Sequence, residues 1–190
     1  MKLPIAIGLV AIAAPLALAQ SSTWVSDPNH SEVDFAITHM SVSKVHGRFG
    51  DVHATIQYNE SDISRSSVRV TVGVGTLDTG VQTRDDDVKG PRYFDVASFP
   101  SATFSSTSVT KSASGLKVAG NLTLHGVTQP IVLDVEGPTQ PVTDDRGKIH
   151  RGFSATTAIS RTDFAIGAKT PATMLSDDVQ LTIKVDAVEQ

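Results

Sequence analysis

No cysteine occurs in the 190 residues. That absence removes disulfides, thiol catalysis, thiolate metal sites and lipid attachment through an N-terminal cysteine together. Aromatic residues are scarce, at 5%, so any core must be built mostly from small aliphatic side chains. Basic residues are outnumbered, 16 Lys and Arg against 20 Asp and Glu, which leaves no positive footprint for nucleic acid. An apolar run able to cross a bilayer is also missing. The longest, Leu3 to Leu18, contains Pro4 and Pro15 and falls short of the roughly 20 residues that a spanning helix needs.

That run reads instead as a targeting segment. Lys2 supplies a short positive region, the apolar stretch follows, and Ala17-Leu18-Ala19 gives the small-x-small pattern of a cleavage site. Residues 1–19 are therefore expected to be a signal peptide, leaving residues 20–190 as one exported, periplasmic domain. Losing Lys2 moves the formal net charge from −4 to −5. Stable membrane insertion is not expected, and an exported domain of this length can be held together by a core without disulfides.

What is present is strand patterning. Val68, Val70, Val72 and Val74 alternate with polar or small residues, as do Leu116, Val118, Gly120, Leu122 and Leu124. Ile131, Leu133 and Val135 follow, and Val179, Leu181, Ile183, Val185 and Ala187 close the chain. Val33, Phe35 and Ile37 open the series, with Ala102, Phe104 and Ser106 in the middle and Phe153, Ala155, Thr157 and Ile159 late. Period-two segments separated by short turns, apolar on one face only, imply an all-β antiparallel barrel or sandwich of about eight strands. Two stretches break the rhythm. Arg84-Asp85-Asp86-Asp87 opens one, where acidic residues suit a helix N-terminus; Gly167, Pro171 and Met174 mark the other. Short helical segments are expected near 83–98 and 162–176. Neither a repeat nor a linker divides the chain.

Motifs for chemistry are weak. His39, His46 and His53 sit seven apart, but on strands an odd separation sends side chains to opposite faces. No metal-binding histidine spacing occurs, so no metal and no catalytic residue is expected. The sequence also lacks a Gly-x-Ser-x-Gly elbow and a glycine-rich phosphate loop. The aspartates at 85–87 lack the alternation of a calcium loop. Arg84-Asp85 and Arg161-Thr162-Asp163 each place a guanidinium near a carboxylate, either as an ion pair pinning an irregular segment or as a polar mouth that orients a ligand.

Taken in order, the landmarks resemble the YceI-like family of periplasmic polyisoprenoid-binding proteins. They begin with Asp27-Pro28-Asn29-His30-Ser31, Phe35, His39-Met40 and Gly47-Arg48-Phe49, and continue through Asp78-Thr79-Gly80, Arg84-Asp85, Tyr93-Phe94-Asp95 and Phe99-Pro100. Phe104-Ser105-Ser106, Gly120 to Thr128, Gly152-Phe153 and Arg161-Thr162-Asp163-Phe164 complete them. Gly90-Pro91-Arg92 and Ala165 depart from the family pattern. The resemblance implies a lipocalin-like barrel whose pore takes up a long-chain lipid of polyprenyl or quinone type, with no cofactor and no agreed catalytic residue.

On that reading the pore lining is Phe35, Ile37, Phe49, Val70, Val72, Phe94, Phe99, Phe104, Leu122, Leu124, Phe153 and Phe164. The headgroup rim is His39, Arg84, Asp85, Arg161 and Asp163. Inward stripes of Val, Ala and Ile leave volume unfilled in a barrel of this strand number. The expected role is carrier or reservoir rather than enzyme, with a long-chain lipid as partner and a homodimer left open. Two alternatives stand beside it: an enzyme acting on such a lipid at the pore mouth, and a packed structural barrel that binds partner proteins.

Overall fold

Alternation becomes strand almost wherever the sequence shows it. The computed structural model describes residues 21–190; the expected signal peptide lies outside them. Eleven strands form: β1 (Ser22–Ser26), β2 (Glu32–His39), β3 (Ser43–Phe49), β4 (Val52–Tyr58), β5 (Ser67–Gly73), β6 (Ser101–Ser112), β7 (Gly115–Leu124), β8 (Val127–Glu136), β9 (Val142–Thr143), β10 (Ile149–Ser160) and β11 (Leu175–Glu189). Every pairing between them is antiparallel. Eight strands close a ring in the order β11–β1–β4–β5–β6–β7–β8–β10 and back to β11. Closure leaves few unpaired edges, chiefly those of β3 and β9 and the part of the β8–β10 seam beyond its three register pairs.

The three further strands have simple origins. β1 and β2 both run antiparallel to β11 and behave as one long strand broken at 27–31. There the Asp27 carboxylate accepts bonds from Asn29 N, at 2.9 Å, and the His30 ring. β3 and β4 form a second long strand, broken where Asp51 adopts φ 51°. β9 is a two-residue addition to β10.

Local chemistry sets the turns and the close approaches. His125 and Gly126, at φ 51° and 74°, join β7 to β8, and two left-handed central residues match the twist of a tight hairpin. Gly47 lies beneath the Phe35 ring and Gly120 against the Phe104 ring, where a Cβ would overlap aromatic atoms. A register shift between Ser106 and Ser108 reverses the parity of β6 and turns Val109 into the core.

The irregular stretches are less helical than the sequence implies. The first holds one helix, α1 (Gln82–Lys89), capped by Gly90. Beyond it Phe94 N donates to Val88 O and Val96 N to Lys89 O, folding the chain back on α1. The second contains only the 3-10 turn Arg161–Phe164, ended by Ala165 at φ 57°. Together they cap one end of the barrel. Tyr93, Phe164, Ile166 and Ile159 are buried there with Val88, Phe94 and Leu124 packed against them, next to Phe49, Val74 and Leu77. The opposite end, called here the Tyr58 end, is crossed by the 59–66 turn, the β6–β7 hairpin and the 137–148 connection. None of the described helices is long and apolar enough to cross a membrane.

Candidate functional site

Inward-facing side chains of a solid barrel should be buried, yet in the middle of this one they are not. β8 alternates half-buried and exposed positions along its whole length, and β11 does the same from Val179 to Lys184. Ile183 of β11, with Leu133 and Val135 of β8, borders a hollow, whereas Val179 and Leu181 pack against the cluster under the cap. A cavity of about 90 Å³ lies in the half of the barrel away from α1. Its wall is almost wholly apolar, with Ala54, Ile56, Val70, Val118, Leu133 and Ile183 among the lining residues, and it reaches the Tyr58 end at Tyr58, Ser66 and Leu116.

The cavity is smaller than the roughly 150 Å³ apolar void that accepts one benzene. A long chain would have to spread the wall. One seam is held by a short ladder. β8 and β10 share only three register pairs, Ser154–Thr156 with Glu136–Asp134. Beyond them toward the capped end the described bonds are side-chain ones, Thr157 Oγ1 to Val132 O at 2.9 Å and Gln129 Nε2 to Asp163 O at 3.1 Å.

The residues expected to line a pore fall into distinct places. Val70 and Phe153 line the cavity, and Phe153 meets the Tyr58 ring edge-on at 6.5 Å. Phe104 and Leu122 pack beside it. Phe35, Phe49, Val72 and Phe94 cluster under the cap, as do Leu124 and Phe164. Ile37 stands opposite Val45 and Val179 near the capped end. Phe99 lies apart from these clusters, its ring 4.6 Å from that of His125.

All five expected headgroup residues sit at the capped end, where the side chains are largely occupied with holding the chain. Arg84 donates to Thr79 Oγ1 and Thr79 O, while Asp85 accepts from Thr79 N and Oγ1. Each therefore fastens the approach to α1. Arg161, 3% exposed, donates to the carbonyls of Ile166, Gly167, Thr170, Leu175 and Ser176 and pairs with Asp177 at 3.0 Å. It is the internal scaffold of the 165–176 loop. His39 and Asp163 are exposed. The described residues bring no three His, Cys, Asp or Glu side chains together in a way that could hold a metal.

Sequence reasoning missed the Tyr58 end. Trp24, Tyr58 and Arg151 come from three separate strands and converge there, with the Arg151 guanidinium 5.3 Å from the Trp24 ring and 5.7 Å from the Tyr58 ring. The available signal was parity: Arg151 precedes Phe153 and Ala155 on the same face of β10. Burial, and Glu60 after it, raise the Tyr58 phenol above its usual range, with Arg151 opposing them.

Residues 24–187 match the model of the YceI-like domain. The chain belongs to the YceI-like family. Among curated relatives, Protein YceI of Salmonella newport (strain SL254) is 38% identical over 161 residues, covering 85% of this chain and 83% of that protein. The Campylobacter jejuni YCEI protein aligns with a TM-score of 0.71 at 32% identity, over 80% of this chain and 90% of that one. Burkholderia cenocepacia BcnA shares the YceI-like fold at a TM-score of 0.72 and 23% identity, covering 85% of this chain and 98% of its own. A polyisoprenoid binding domain from Saccharophagus degradans shares it more distantly, with a TM-score of 0.64 and 14% identity over 90% and 100% of the two chains.

Proposed function

We propose that this YceI-like protein takes the apolar chain of an isoprenoid or similar amphiphile into its barrel and holds it unchanged, as a periplasmic carrier or reservoir. The observation that carries this reading is the incomplete burial of inward positions on β8 and β11 around an apolar cavity. The polyisoprenoid binding domain of the same fold supports it. No cofactor and no catalytic step belongs to the reading.

Energetics put the affinity in the tail. Burying about forty carbons at roughly 0.8 kcal/mol per methylene gives on the order of 30 kcal/mol gross, above the ceiling of about 18–21 kcal/mol for real complexes. Ordering the chain and spreading the wall must absorb much of that gain. The test is mass spectrometry of organic extracts from protein purified without detergent. Stoichiometric long-chain lipid, recovered intact, is the expected result. Repeated extraction without lipid, or recovery of altered lipid after incubation, would sink the reading.

A further inference from the structure

Resting on the carrier reading, the Tyr58 end assigns a headgroup. Arg151 occupies an inward position on β10, opposite Ala187 of β11, one step outward from the cavity residues Phe153 and Ala155. Its guanidinium lies over Trp24 and Tyr58. It takes part in none of the ion pairs among the described residues. Its Nε is buried and has no hydrogen-bond partner. The contrast with Arg161, whose donors meet carbonyls on every side, is direct. A buried donor without a partner is costly, and a permanent cation stacked on two rings, with no carboxylate of the described residues within ion-pair distance, is placed to receive an anion.

We infer that Arg151 binds the anionic headgroup, phosphate or carboxylate, of the lipid whose tail fills the barrel. The planar fork matches either oxyanion with two parallel hydrogen bonds. Tyr58, whose phenol is pushed up chiefly by burial, has a hydroxyl that can donate to the same head. The lipid would then sit tail toward the cap and head toward the Tyr58 end, the reverse of an orientation set by Arg84 or Arg161.

The test compares ligands of one tail length that end in alcohol, carboxylate or phosphate monoester. They partition from neutral phosphatidylcholine vesicles into delipidated mature protein. Wild type should bind both anions at least about tenfold tighter than the alcohol, the fold-change of one charged hydrogen bond. Arg151→Met should abolish the preference and keep alcohol binding within about twofold; Arg151→Lys should keep part of it. A preference for phosphate alone points to polyprenyl phosphates, and equal preference for carboxylate extends the class to fatty acids; both support the assignment. A wild-type ratio near one, or a preference that survives Arg151→Met, overturns it while leaving the carrier intact. Displacement of the lipid by millimolar inorganic phosphate also overturns it, since the site would then serve a free anion. If no ligand of any class binds, the carrier reading and the assignment fall together. Should Arg151→Met not fold, Arg151→Gln takes its place, and the wild-type ratio still decides.

Discussion

Two arginines of the same chain show how burial divides labour between residues. Arg161 gives its donors to five carbonyls of one loop, so its loss strands those acceptors and Asp177 together. Arg161→Met should cost about 3–5 kcal/mol, the range for breaking one side of a buried charged network, measured by urea unfolding. His150 offers a pH-dependent counterpart on the outer wall. Its Nδ1 lies 2.8 Å from Asp186, and Asp144 stands 3.4 Å from Nε2 as a charge rather than a hydrogen-bond partner. The Asp186 hydrogen bond, followed by the charges of Asp186 and Asp144, raises the imidazole above its usual 6.5. The protonated ring is thus favoured by folding. Its contribution is complete below the unfolded value and fades as pH rises through the higher folded one. Stability measured from pH 6 upward should fall less steeply in His150→Gln than in wild type; equal slopes would show that the contact has no weight.

At the level of elements, period two was legible and its interruptions were not. The stripes of β5, β7, β8 and β11 face inward as alternation requires. The reversal in β6 follows from one extra residue between Ser106 and Ser108, and no side chain there announces a bulge. The eight strands of the ring match the sequence reading, and the count rises to eleven because bends at Asp27 and Asp51 split two long strands and β9 adds two residues beside β10. The opposite charges Arg84-Asp85 and Arg161 with Asp163 drew attention to the capped end, although Arg84, Asp85 and Arg161 bond elsewhere and Asp163 is exposed. The Tyr58 end is assembled from β1, β4 and β10, so only the parity of Arg151 with Phe153 and Ala155 marks it locally. The short β8–β10 ladder carries its own consequence. Backbone groups beyond Thr156 and Asp134 on that seam lack register partners, and such regions open at low free energy. Amide hydrogen exchange should be faster along 128–132 and 157–159 than along β6 and β7, and bound lipid should not erase the difference. Uniform protection around the ring would refute a weak seam.

For the whole molecule the question is whether the interior is space or packing. Val70 lines the cavity, whereas Thr71 faces outward and is exposed. Val70→Trp should therefore abolish uptake of long lipids with less than the roughly 1–3 kcal/mol loss that overpacking a filled core brings. Thr71→Glu should leave binding and stability unchanged. A tryptophan variant that unfolds, from a parent that binds no lipid, would make this a structural barrel. Lipid that binds only the folded state must also raise the melting temperature, logarithmically in free lipid relative to its dissociation constant, so delipidated protein should melt lower than protein as purified.

The cap on one end gives the barrel a floor, and a bore with a floor measures length. Tails shorter than the bore leave apolar wall wet; tails that exceed it must trail into water beyond Tyr58. Affinity along a series of alcohols should climb by a near-constant factor per added isoprene unit and then level off. The break in that line would gauge the depth of the protein in carbons, and Leu77→Ala or Phe164→Ala, which hollow out the floor, should move it toward longer chains.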